Sequence, residues 1–175
     1  MITEEYRELN RKLHETRPTY GAGLATNGYY PIIETIADDY RVLSILDYGC
    51  GKGALKNALT YFNVTEYDPC IEGKDQDPEQ CEMLVCLDVM EHIEPELLDK
   101  VLEHIKSKFT KCAFISVSLV PAQAILADGR NAHLIQESVE WWNDKFNQTF
   151  NIKKQMGVAG HDRKIHELVV LLEHK

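Results

Sequence analysis

The sequence predicts an α/β fold with a shortened, mostly parallel central sheet. Between about residues 30 and 120, short apolar strand patterns alternate with helix-forming segments, which is typical of βαβ units. A glycine-rich turn joins the first of these strands to its helix. With 175 residues the chain has room for one domain. We expect residues 1–29 to form an N-terminal helix and a lid, and residues 30–175 to form the α/β core.

Composition narrows the functional classes. The formal net charge of −9 argues against an extensive DNA- or RNA-binding surface, although it does not exclude one. The five cysteines include no C-x-x-C pair and the seven histidines are scattered, so we predict reduced thiols and no metal site. Neither an apolar run of about 20 residues nor an apolar leader is present, which predicts a cytoplasmic protein without a membrane segment. Oligomeric state stays open.

The N-terminal segment is predicted to be a helix followed by a loop. Thr3 is a suitable cap for a helix that runs to about residue 15. Residues 16–28 carry the turn chemistry of a loop, and within them Tyr20 and Gly21 are suited to lie over a ligand as a lid. A plain connector is an equal alternative. A second helix is expected over residues 30–40.

The glycine-rich turn is the strongest functional signal. An apolar strand from Val42 reaches Asp47 and enters D-Y-G-C-G-K-G, after which residues 54–62 are predicted to form a helix. Glycine permits positive φ and a close approach of the backbone to a ligand. The G-x-G-x-x-A spacing fits a dinucleotide-binding fingerprint. Equally, D-x-G-x-G-x-G resembles the first motif of the class I S-adenosylmethionine-dependent methyltransferases.

A second acid follows the next predicted strand. Residues 63–69 form a strand pattern ending at Asp68, about 20 residues past the first glycine, where βαβ sites place a carboxylate on ribose hydroxyls. The structural alternative is a turn aspartate before Pro69. Residues 70–80 are too few for another helix and strand. We therefore expect the third βα unit to be reduced or missing, so that adenine recognition falls to Ile71 or to the next strand end.

The following strand ends in a more specific pattern. Residues 83–89 form a near-continuous apolar run that includes Asp88, the first residue of D-V-M-E-H-I, and a helix is predicted over residues 95–109. This segment is similar to the D-V-L-E-H-I that follows the fourth strand in many class I methyltransferases. With D-Y-G-C-G-K-G and Y-D-P in the same order, it favours that family over an NAD-dependent enzyme. The resemblance implies a Rossmann-like fold and S-adenosylmethionine as cofactor.

The resemblance also implies a reaction and a set of site residues. The expected activity is in-line methyl transfer to a small molecule or an exposed nucleotide group. The alternative is a non-catalytic S-adenosylmethionine-binding protein or a partner subunit. Catalytic candidates are Asp88, His92 and His133. The structural alternative is that His92 only orients its loop, and that His133 is a helix-cap or hydrogen-bonding loop residue. The implied cofactor contacts are Tyr20, Gly21, Asp47, Tyr48, Gly49, Cys50, Gly51, Gly53, Tyr67, Asp68, Pro69, Asp88, Val89 and Met90.

The C-terminal third is predicted to complete the sheet. A strand at residues 112–120 is followed by a short helix over residues 121–127 and by a polar loop at 128–135, which resembles one in small phage-encoded proteins of the methyltransferase class. Ser138 should cap a helix in which one of two adjacent tryptophans is core and the other is a candidate wall of the substrate pocket. The last two strands should form a hairpin, one of them antiparallel to the rest.

Overall fold

One six-stranded sheet organises the protein, in a computed structural model that describes residues 2–23 and 27–175. The strands are β1 (Ser44–Tyr48), β2 (Asn63–Tyr67), β3 (Cys81–Leu87), β4 (Phe109–Ser118), β5 (Phe150–Ala159) and β6 (Ile165–His174). Their order is β2-β1-β3-β4-β6-β5. Neighbouring strands among the first four pair in parallel, whereas β6 is antiparallel to both β4 and β5. The mostly parallel sheet with a C-terminal antiparallel hairpin is therefore confirmed.

Five α-helices accompany the sheet in the described part of the chain. They are α1 (Glu4–Thr16), α2 (Tyr30–Asp39), α3 (Ala54–Ala58), α4 (Leu98–Ser107) and α5 (Val139–Thr149). The hydroxyl of Thr3 accepts from a free N–H in the first turn of α1, and that of Ser138 does the same for α5. Both predicted N-caps are therefore confirmed. Among the described residues, no helix is long and apolar enough to cross a membrane.

The helices cover both faces of the sheet and bury its alternating side chains. Leu46 and Tyr48 belong to the apolar cluster shared with α4 and α5. Ile45 belongs to the cluster shared with α2 and α3, on the opposite face. Because successive strand residues point to opposite faces, Asp47 projects to the α2–α3 side, directly before the glycine turn. Trp142 is fully buried against the first face, whereas Trp141 is partly exposed.

The third βα unit is missing, as predicted. Residues 68–80 contain neither helix nor strand and lead directly from β2 to β3. Two other predictions were wrong. The segment 121–127 is not a helix, because the Asn131 side chain bonds both the N–H and the carbonyl of Ala122 and holds the segment in an extended loop. Helix α3 ends at Ala58, one turn earlier than expected.

Helix α1 packs across the carboxyl ends of the strands. Tyr6 and Leu13 form a separate apolar cluster with Ala124, Leu126 and Ala132 from the loop after β4. The N-terminus is held there by Thr3, whose N–H and hydroxyl both donate to Glu94, at 2.7 and 2.6 Å. The N-terminal helix therefore roofs the edge of the sheet at which ligands of open α/β folds bind.

Candidate functional site

A cavity of about 550 Å³ lies at the carboxyl ends of the parallel strands. Its floor comes from the segments that follow β1, β2 and β3, and its roof from α1 and the residues after it. Strand order reverses between β1 and β3, and this switch point is where open α/β sheets form their ligand crevice. The volume is in the range of small-molecule and cofactor pockets, roughly 300–1,000 Å³.

The glycine turn forms the floor through backbone alone. Gly49 has φ 81° and Gly51 has φ 50°, both in the left-handed region. A Cβ at Gly51 would lie 2.4 Å from the carbonyl oxygen of Gly21, and one at Gly49 would lie 2.3 Å from a methyl group of Val89. Glycine is therefore required at both positions by conformation and by close approach.

The segment after α1 is fastened to this turn. The N–H of Lys52 donates to the carbonyl of Gly21 at 2.8 Å. The Lys52 ammonium donates to three more carbonyls, those of Arg17, Pro18 and Tyr20, at 3.0, 2.8 and 3.0 Å. One lysine thus holds the segment against the glycine turn, where Tyr20 and Gly21 line the cavity.

Asp68 lies at the end of β2 and is oriented by backbone groups. One carboxylate oxygen accepts from the N–H of Gly51 at 3.0 Å, and the other accepts from the N–H of Cys70 at 2.9 Å. The residue is buried at the cavity wall. A carboxylate has about four acceptor positions, so about two remain for a ligand.

Asp47 has a different environment, although it too lines the cavity. It is 5% exposed, and burial together with the nearby charge of Glu66 raises its pKa to about 7, against the opposing effect of Lys74. Lys74 is itself paired with Glu66 at 3.0 Å. At neutral pH the charge of Asp47 is therefore poised to respond to a cationic ligand.

Asp88 follows β3 with φ 53°, unusual for a residue with a side chain. Its N–H donates to the hydroxyl of Ser116 at 3.1 Å, and that hydroxyl donates to the Asp88 carboxylate at 3.1 Å. Burial raises the pKa of Asp88, and burial with the Asp88 charge raises the pKa of Glu167 to about 7. Burial therefore favours the protonated form of both carboxyl groups, one at the end of β3 and the other on β6.

Two histidines meet at the opposite wall. The rings of His92 and His133 are edge to face, with centroids 4.7 Å apart. Their Nδ1 atoms lie 2.8 and 2.6 Å from the carbonyls of Ala132 and Val120. Because a carbonyl only accepts, both Nδ1 atoms carry the proton and both Nε2 atoms keep a lone pair. Burial and the neighbouring His133 lower the pKa of His92 to about 3, and burial lowers that of His133, so both rings are neutral.

Most of the predicted site residues meet at this cavity. Those that line it are Tyr20, Gly21, Asp47, Gly49, Cys50, Gly51, Asp68, Pro69, Asp88, Val89, His92 and His133. Tyr48 and Tyr67 instead pack against His104 on the α4 side of the sheet. Met90 is fully buried in the core, and Gly53 caps α3 beside Glu66. These last four do not line the cavity, and neither Ile71 nor Trp141 is among its lining residues.

Sequence reasoning missed several residues of the site. Lys52 stands in the glycine turn without any pattern that predicts its three carbonyl contacts. Lys74 donates to the carbonyl of Gly51 at 3.2 Å from the irregular segment after β2. Glu91 is fully buried behind the cavity wall, with a ligand atom within 4.8 Å of His92 and His133. Its place inside D-V-M-E-H-I, next to His92, was the one sequence signal for it.

Solved structures share this fold. A Burkholderia thailandensis 1,6-didemethyltoxoflavin-N1-methyltransferase, crystallised with S-adenosylhomocysteine, superimposes with TM-score 0.73 at 15% identity, over 100% of this chain and 91% of that one. The Synechocystis magnesium protoporphyrin IX methyltransferase, with bound S-adenosylmethionine, gives 0.65 at 13%, over 99% of both chains. An S-adenosylmethionine-dependent methyltransferase from Mesorhizobium loti gives 0.56 at 14%, over 86% and 99%. No protein-family model matches the sequence, and no curated protein matches it significantly. At these identities the similarity establishes the fold.

Proposed function

We propose that this chain, which has the fold of the class I S-adenosylmethionine-dependent methyltransferases, binds S-adenosylmethionine and transfers its methyl group to a small molecule or an exposed nucleotide group. One observation carries the proposal. The glycine turn, Asp47 and Asp68 converge on a single cavity at the point where strand order reverses. That combination supplies a close-approach backbone floor and two carboxylates on separate strands.

The residues present suit the cofactor. Side chains at Gly49 and Gly51 would collide with Val89 and with the carbonyl of Gly21, so glycine lets the turn pack tightly against two other walls of the same cavity. Asp68 has acceptor capacity left for two ribose hydroxyls, as a carboxylate at this strand end commonly does. Asp47 offers a buried carboxylate for the ammonium of the methionine part. When bound, S-adenosylmethionine supplies a methyl group already activated by its sulfonium charge.

The protein's contribution is mainly positioning. Aligning an acceptor with an electrophile can lower the activation free energy of the reaction by roughly 7–11 kcal/mol. The lid held by Lys52 covers the cavity and reduces the access of water to the reacting atoms. Asp88 and the two neutral histidines line the wall next to the loop after β4, where we place the acceptor. The Nε2 lone pair of His133 is available there to accept a proton from an acceptor that must lose one, whereas the pKa of about 3 makes His92 a weak base.

Calorimetric titration with S-adenosylmethionine, S-adenosylhomocysteine and NAD tests the cofactor. We expect the first two to bind and NAD not to bind. Asp68→Asn should weaken binding roughly 10- to 100-fold, because hydrogen bonds to a charged group are worth about 1.5–3 kcal/mol. The matched control is Asp99→Asn, which removes a surface acid paired with Lys145 and should leave the affinity unchanged. Failure of both sulfur ligands to bind the intact protein would refute the proposal.

Release of S-adenosylhomocysteine in an acceptor screen separates an enzyme from a non-catalytic binding protein. The enzyme produces it at a rate that saturates with an acceptor. A binding protein would take up the cofactor with the same affinity and release none with any acceptor. The screen should include hydroxyl, amine and thiol acceptors, since the fold alone does not select among them.

A further inference from the structure

The cavity wall contains a second cluster that cofactor binding does not require. Glu91 and His92 follow β3 on a single turn of 3-10 helix, and His133 comes from the loop after β4. One ligand atom from each of the three lies within 4.8 Å of the others. We propose that Glu91, His92 and His133 bind a divalent transition-metal ion at the acceptor end of the cavity.

The histidines are arranged as metal ligands usually are. Each ring donates its Nδ1–H to a backbone carbonyl, that of Ala132 for His92 and that of Val120 for His133. Such an outer contact fixes the tautomer and the ring orientation, and it leaves Nε2 as the coordinating atom. Neither ring needs to give up a hydrogen bond at Nδ1 for its Nε2 to coordinate.

Glu91 provides an independent sign of a missing partner. It is 0% exposed, and one carboxylate oxygen accepts from the N–H of Ser118 at 3.1 Å. Its Oε2 is buried without a hydrogen-bond partner. Within residues 2–23 and 27–175, the basic side chain nearest this carboxylate is His133, whose Nε2 lies 3.9 Å from Oε1. A buried carboxylate with so little compensation is costly, and a bound cation would supply the counter-charge.

The ligand set indicates the class of metal. Two imidazoles and one carboxylate suit Zn²⁺, Mn²⁺, Fe²⁺ or Co²⁺, whereas Ca²⁺ and Mg²⁺ prefer shells made of oxygen. Metal–ligand bonds of about 2.0–2.2 Å place ligand atoms roughly 3.3 Å apart, so shifts of about 1 Å would close the site. Three protein ligands leave further coordination positions open, and both histidines line the cavity.

The position also indicates a role, and this part rests on the proposed function. An acceptor hydroxyl in an open position would become more acidic, because a bound divalent ion lowers the pKa of coordinated oxygen. Its proton leaves to water and its lone pair forms the new carbon–oxygen bond. The carbon–sulfur bond breaks, and its electron pair returns to sulfur as a neutral thioether. The site therefore favours hydroxyl acceptors over amines.

Metal binding can be measured without cofactor. Protein dialysed against a chelator is titrated with Zn²⁺ and with Co²⁺, following heat and the visible d–d absorption of Co²⁺. We expect one ion per chain. Since even outer-shell changes typically cost about 10- to 100-fold in metal affinity, Glu91→Gln and His133→Asn should each cost at least about 100-fold. The matched control is His14→Asn, which removes another cavity histidine outside the cluster and should bind Co²⁺ as the wild type does.

Several outcomes would overturn the site. These are no saturable binding, equal binding by the Glu91 variant, or a thiolate-to-cobalt charge-transfer band that assigns the ion to one of the five free cysteines. Thermal melting shows whether each variant is folded. It also gives a second readout, because a bound metal should raise the melting temperature of the wild type but not that of Glu91→Gln. The same samples are also titrated with S-adenosylhomocysteine. Protein that binds this ligand but no metal would overturn the metal site and leave the proposed function standing. Equal methylation of a hydroxyl acceptor with and without metal would refute the catalytic role.

Discussion

Replacing Asp47 by asparagine should change how the stability of the protein depends on pH. The pKa of Asp47 is raised from 3.8 to about 7, so the folded state holds a proton that the unfolded chain has already lost. The contribution of Asp47 to the free energy of unfolding therefore falls as pH rises from about 4 to about 7. Above about pH 7 this contribution no longer changes with pH. An asparagine side chain cannot ionise, so Asp47→Asn removes this contribution.

The size of the effect follows from the same pKa. Each unit of pKa corresponds to about 1.4 kcal/mol, and pH 5 lies about two units below the folded pKa. The stability of Asp47→Asn relative to wild type should therefore rise by about 3 kcal/mol between pH 5 and pH 8. Urea unfolding at pH 5, 6, 7 and 8 measures it. Subtracting the free energy of unfolding of one protein from that of the other at each pH removes the contributions of Glu167 and of other groups common to both.

Ligand binding supplies a second readout of Asp47. If it holds the ammonium of the cofactor, binding requires its ionised form, and S-adenosylhomocysteine should bind more tightly as pH rises toward 7. The limit is tenfold per pH unit for a single proton released. Asp47→Asn should bind weakly at every pH, without this slope. If the stability of the wild type and of Asp47→Asn changed with pH in the same way, the raised pKa of Asp47 would be refuted. If their affinities for S-adenosylhomocysteine changed with pH in the same way, the ammonium contact would be refuted.

Three further substitutions, two of them with a matched control, test the glycine turn, the lid and the core. Gly51→Ala should weaken S-adenosylhomocysteine binding at least about tenfold by calorimetry, because its Cβ would lie 2.4 Å from a carbonyl oxygen. Gly73→Ala, with φ 82° and open surroundings, imposes the same backbone strain and should leave affinity unchanged. Lys52→Met should speed both ligand release and the hydrogen exchange of the amides in residues 17–23, because three carbonyls lose a charged donor. Equal exchange rates in the two proteins would contradict the lid. Trp142→Ala should cost about 3–5 kcal/mol in urea unfolding, and Trp141→Ala much less, because only Trp142 is fully buried.

The positions of the strands along the chain were predictable because each strand carries a local signal. Apolar runs, turn glycines and the D-V-M-E-H-I segment identify successive strand ends, and parallel pairing brings those ends to one edge. The loop after β4 was not predictable in this way. Its conformation depends on Asn131, whose amide substitutes for a strand partner of Ala122. Such a contact between side chain and backbone has no periodicity.

The approach of the two histidines was hidden for a related reason. His92 and His133 are separated in sequence by a helix and a strand, so counting histidines by spacing gave no metal site. Proximity across loops is a tertiary property, and sequence spacing reports ligands only when they share one local element. Glu91 was also overlooked. The feature that singles it out, a buried Oε2 without a hydrogen-bond partner, arises only when the chain is folded.

The cavity thus has two ends that differ in their polar groups. At the β1–β2 end, Asp68 is oriented by two backbone N–H groups, and Asp47 is left with a raised pKa that a cationic ligand can lower. At the β3–β4 end, the neutral imidazoles of His92 and His133 lie beside the buried side chain of Glu91. Val89 joins the two ends, because its methyl group fills the space that a Cβ at Gly49 would need and its carbonyl accepts from the N–H of His92 at 3.0 Å. A substitution at Val89 should therefore disturb both ends together, whereas changes at Asp68 or Glu91 should each disturb one.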